Sequence, residues 1–141
     1  MKQSRSTMSA MRWISAQIKW IMIVAGALTC TMVYAAIAPQ AALLNTFGEA
    51  LQGPVAEIVV RNWGALITLI GAMLIYGGFR PQSRRLILVV AGVSKVVFIL
   101  LILSFGPQFL PRAGVAVAVD TVMIFLFAIY LLSNRNEVRS A

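Results

Sequence analysis

Apolar residues dominate four stretches of the chain, residues 20–38, 60–79, 86–105 and 114–133. Short connections rich in Gly, Pro, Arg and amide residues separate them. A helix needs about 20 apolar residues to cross the ~30 Å hydrocarbon core of a bilayer, and each stretch is close to that length. The pattern predicts an all-α protein with a single membrane domain over residues 1–141. The expected architecture is an integral membrane four-helix bundle in up-down-up-down order, because connections this short join neighbouring antiparallel helices.

The polar breaks refine this outline. Ile14, Ile18 and Ile21 recur at helical spacing ahead of the first span, and Trp13 and Trp20 suit a bilayer interface. This start also resembles a signal peptide, with a basic lead-in and small residues around Tyr34-Ala35-Ala36. Its apolar core of ~18 residues exceeds the roughly 7–15 of a signal sequence, so it is expected to stay as a span. Pro39 ends the first helix. Over residues 40–53, Leu43, Leu44, Phe47, Ala50 and Leu51 share one helical face, while Asn45, Glu49 and Gln52 lie mostly off it. That predicts a short external amphipathic helix between spans 1 and 2. Pro54 suits the first position of the next helix, which is expected to reach about Tyr76, with Gly77-Gly78 closing the span. Gly64 and Gly71 fall on nearly one face of that helix. They would admit a close neighbour, as would Gly26 in the first span and Gly92 in the third.

Composition names the solvent. Hydrophobic residues make up 60% of the chain and charged residues 11%, against roughly 45–50% and about 25% in soluble domains. The net charge of +8 does not indicate nucleic acid, because no basic face with interleaved aromatics is present. Instead the cations cluster outside the spans. Lys2, Arg5, Arg12 and Lys19 precede the first, Arg80, Arg84 and Arg85 fill the turn after the second, and Arg135 and Arg139 end the chain. The other two connections hold only Arg61 and Arg112. By the positive-inside rule, both termini are expected in the cytoplasm, in a multi-pass membrane protein. With no His, one Cys (Cys30) and 4 acidic residues, the chain lacks the means for imidazole metal sites, a Ser-His-Asp triad or an internal disulfide. Composition therefore calls for no metal and no cofactor, and argues against most enzymes.

Two ionisable residues interrupt the apolar spans: Lys95 in the third and Asp120 in the fourth. A charge at mid-membrane costs about 2.5–3.5 kcal/mol on insertion scales, so it normally has a partner or a purpose. Counted from the connection that joins the two helices, Lys95 lies ~16 Å deep and Asp120 ~9 Å deep at 1.5 Å per residue. A lysine side chain reaching outward would close that offset. Three readings stay open: a lock between helices, a proton or anion site on a polar cavity, or two charges that never meet. Glu57 and Arg61, spaced i,i+4, read as a surface ion pair or as the outer gate of such a cavity.

The order of parts resembles the DoxX-like group of small four-span bacterial membrane proteins. The parts are a first span, a Pro-ended amphipathic segment, Arg61-Asn62-Trp63-Gly64 opening a Gly-punctuated second span, a basic turn and a helical hairpin. The resemblance implies a four-helix membrane bundle and transfers no catalytic residue. Its members include subunits associated with quinone-linked thiosulfate oxidation. The leading expectation is a non-enzymatic membrane subunit, self-associating or accessory to another membrane protein, with the bilayer as its other partner. One alternative is a carrier or a protein binding a lipophile, quinone or anion through Lys95, Asp120, Glu57 and Arg61. A subunit of a quinone-linked oxidoreductase is the other, and it rests on the resemblance.

Overall fold

A computed structural model describes the backbone of residues 2–139 and the side chains of Ser9, Trp13, Ile14 and residues 16–133. The side chains of Lys2, Arg5, Arg12, Arg135, Glu137 and Arg139, which carry much of the topology count, lie outside the described residues. The described chain is all-helical: α1 (Lys2–Cys30), α2 (Val33–Ile37), α3 (Pro39–Phe47), α4 (Pro54–Phe79), α5 (Arg84–Phe105) and α6 (Leu110–Arg139). Two short 3₁₀ turns, Pro81–Ser83 and Pro107–Phe109, introduce α5 and α6.

Four segments are long and apolar enough to cross a membrane: Ala16–Ile37, Pro54–Phe79, Pro81–Phe105 and Pro107–Ser133. At 22, 26, 25 and 27 residues they reach about 33–40 Å at 1.5 Å per residue, enough for the ~30 Å core. Their outward faces are greasy, with Val93, Leu100, Phe105, Val115 and Phe125 all exposed. Water would not tolerate so wide an apolar surface on a lone chain.

The first segment is not one smooth helix. The Thr29 hydroxyl donates to Ala25 O at 2.8 Å and that of Thr31 to Leu28 O at 2.6 Å. The next amides then bond three residues back, Thr31 N to Leu28 O and Met32 N to Thr29 O, both at 3.2 Å. Hydroxyls that bond to the helix's own carbonyls bend it, and i−3 bonds tighten the turn. The break between α1 and α2 follows, a feature that the apolar pattern over residues 20–38 does not reveal.

Two other boundaries depart from expectation. The amphipathic helix predicted over residues 40–53 stops at Phe47, because Gly48 adopts φ 83°, a left-handed cap that glycine takes without strain. Ala50 and Leu51 are therefore not part of a helical face; both lie exposed beyond it. In the second span, Gly77-Gly78 does not close the helix, which continues to Phe79.

The core has two parts. In one, Ile18, Met22 and Ala25 of α1 meet Leu74 of α4, Leu88 and Ala91 of α5, and Phe127 of α6. In the other, Ala35 of α2, Ala42 and Leu43 of α3 and Val60 of α4 pack together, with Phe47 and Trp63 against them. Phe47 also sits edge-on to Phe109, with centroids 5.6 Å apart, so α3 touches both the α4 side and the turn of the α5–α6 hairpin.

Candidate functional site: a buried ion pair between α5 and α6

Leu88, Ala91, Lys95 and Ile102 form the buried stripe of α5 at helical spacing. Lys95 is thus placed inward by the periodicity that buries its apolar neighbours. Across from it, Asp120 lies one turn before Met123, a member of the first core. Lys95 Nζ donates to Asp120 Oδ1 at 2.5 Å, closing an ion pair between side chains that are 9% and 18% exposed. Exposure this low makes the pair interior. In such surroundings each charge depends on the other, since an unpartnered ion there would carry its whole desolvation cost.

The neighbouring hydroxyls are occupied locally. Thr121 donates to Val117 O and Thr29 to Ala25 O. The Cys30 thiol donates to Thr68 O at 3.6 Å, beside the α1–α4 contact.

The other candidate pair stands elsewhere. Arg61 Nε and Nη2 donate to Glu57 Oε1 at 3.0 and 2.6 Å, and both side chains are nearly half exposed. Arg61 Nη1 also donates to Ala36 O and Ile37 O, the last carbonyls of α2. Gly77 of α4 lies level with Ile87 of α5. Lys95 is therefore level with about residue 69 of α4, and Arg61 lies about 12 Å beyond that, eight residues along the helix. The four candidate residues form two separate ion pairs, not one site. Asp120 turns to Lys95 and away from Arg112, whose guanidinium donates to Leu44 O.

The glycines divide in the same plain way. A Cβ on Gly26 would meet Gly71 O at 2.6 Å, one on Gly71 would meet Cys30 N at 2.8 Å, and one on Gly64 would meet Ala36 N at 2.5 Å. Among the described residues nothing lies within 4 Å of a Cβ on Gly92, so a side chain there would meet open space. Gly78 belongs to the close contact too, with a Cβ there 3.1 Å from Lys19 O. The sequence reading treated Gly78 as a helix end, although its seven-residue spacing from Gly71 was the available signal.

Comparison with family models, curated proteins and solved structures finds no match. The functional reading therefore rests on geometry. Sequence reasoning also passed over Arg84, whose Nε and Nη2 donate to Gly77 O and Gly78 O at 3.0 and 2.8 Å. Its position just after a Gly-Gly helix end was the only hint.

Proposed function

We propose that the chain is a non-catalytic, multi-pass protein of the bacterial inner membrane that works as an accessory or self-associating membrane subunit. In this reading its four spans alternate in direction, both termini lie in the cytoplasm, and α3 rests at the external surface. The observation that carries it is the Lys95–Asp120 pair. The two charges of the apolar interior pair with each other and tie α5 to α6. The outward apolar faces of α5 and α6 supply surface for lipid or for another subunit. The DoxX-like layout is in keeping with this arrangement.

A double-substitution series tests the reading. Lys95→Met and Asp120→Leu should each lower stability by about 3–5 kcal/mol, since each leaves one buried charge alone. The combined variant should regain stability to within about 1 kcal/mol of the parent, because apolar replacements remove the desolvation cost together with the attraction. Reversible unfolding in mixed micelles measures both. A combined variant that folds normally but loses a proton or anion flux carried by the parent in proteoliposomes would overturn the structural role.

A further inference from the structure

Around the bundle α1 packs on α4, α4 on α5, α5 on α6 and α6 on α1, so α4 and α6 stand at opposite corners. The short helix α3 packs on both of them. It meets α4 at Val60 and Trp63 and the α6 side at Phe109 and Arg112, close to where each helix begins. It therefore lies across one end of the bundle, from corner to corner.

The two corners hold it differently. On the α4 side Ala42 and Leu43 are buried with Val60, and the Phe47 ring stands 6.1 Å from that of Trp63. On the α6 side, among the described residues, the polar hold is a single exposed hydrogen bond, Arg112 Nη1 to Leu44 O at 3.1 Å. Gly48 receives the same side chain, since a Cβ there would stand 3.0 Å from Arg112 Cδ and Nε. The backbone is jointed on either side of α3. Ala38 leaves helical geometry at φ −126° and ψ 69°, and Gly48 (φ 83°) and Gly53 (φ 103°) bracket exposed, non-helical residues 49–52. Left-handed glycines at both ends of this link give it a freedom that other residues would not have. Ala113, beside Arg112, is 1% exposed. Val117 and Asp120 follow it at i+4 and i+7, on one helical face that leads about 10 Å inward to the ion pair.

We propose that α3 is a hinged cap, with its pivot on α4 and Arg112 as its latch, that opens the α6 face from Ala113 toward Asp120 to water and small solutes. The inference goes beyond the membrane-subunit reading and does not depend on which way the chain crosses the bilayer.

Alkylation of Ala113→Cys by N-ethylmaleimide in detergent micelles, with Cys30→Ser removing the native thiol, tests it. The introduced thiol should react slowly, and about tenfold faster once Arg112→Gln removes a hydrogen bond from a charged donor. Losing the neighbouring cation would by itself slow the thiol, by leaving less of it as thiolate, so acceleration reports opening. Gly48→Ala, which presses on the latch from the other side, should accelerate the reaction likewise. Hydrogen exchange in the otherwise unaltered chain gives a second reading. Arg112→Gln should speed exchange over residues 42–48 and leave residues 60–70 unchanged. Alkylation at one rate with and without Arg112 would overturn the proposal. So would amides of α3 and α4 that exchange together, since the cap would then have no motion of its own.

Discussion

Three arginines each end a helix that they do not belong to or have just left. Arg61 donates to the closing carbonyls of α2, Arg112 to Leu44 O of α3, and Arg84 to Gly77 O and Gly78 O of α4. The last four carbonyls of a helix have no partner within it, and away from water such groups cost several kcal/mol each. A guanidinium suits the task because its planar fork reaches two acceptors at once. Arg84→Ala should therefore lower stability by about 1.5–3 kcal/mol, the range for hydrogen bonds from a charged donor. Exposed Arg80→Ala should stay within about 0.5 kcal/mol. Arg84→Lys should recover part of the loss, and thermal unfolding of the purified variants separates all three. The basic character of the turn was legible from Arg80, Arg84 and Arg85 together. Which of them serves α4 was not, because the choice is made by the Pro81–Ser83 turn, which folds the second cation, Arg84, back over the helix end.

Gly64, Gly71 and Gly78 recur every seven residues along α4 and form the seam on which α1 and α2 rest. Their contacts run antiparallel: Gly78 meets Lys19 and Ile23, Gly71 meets Gly26 and Cys30, and Gly64 meets Ala35 and Ala36. Small residues let backbones approach where lipid gives helices no hydrophobic reason to associate. Gly71→Val should cost at least about 1–3 kcal/mol, because besides the Cys30 Sγ it would strike Cys30 N and Gly26 O, backbone atoms that cannot swing aside. Gly92→Ala should be neutral or stabilising by up to about 1 kcal/mol, since it gains helix propensity and meets nothing. Circular dichroism melts in detergent would show whether the two glycines differ in this way. The seam was partly visible in sequence as the Gly64–Gly71 spacing. Gly92 looked equivalent, but a glycine's role depends on which way its face points, and on α5 that face lies beside the buried stripe of Lys95. The early end of α3 had a local cause at Gly48, which the apolar spacing through Leu51 concealed.

For the whole molecule, four apolar segments and the positions of their Pro and Gly breaks sufficed to outline the all-helical chain, because lipid demands length and greasiness before anything else. Depth was less legible. The ~7 Å offset between Lys95 and Asp120 assumed straight helices of standard rise; the flexible lysine side chain absorbed it, and direct bonding resulted. Orientation is open to a direct check. Reporter fusions after residue 50 should be active outside the cytoplasm, and fusions after residues 83 and 139 should be active inside it. An inverted pattern would reject the positive-inside assignment. The ion pair also bears on biogenesis. Lys95 leaves the ribosome 25 residues ahead of Asp120, so α5 offered alone to the translocon carries an uncompensated ammonium costing about 2.5–3.5 kcal/mol. The α5–α6 hairpin is thus the natural unit of partitioning into lipid. On the membrane reading proposed above, a chain truncated before Asp120 should leave α5 poorly inserted, and one that includes α6 should insert both helices, as a glycosylation-site insertion assay would read.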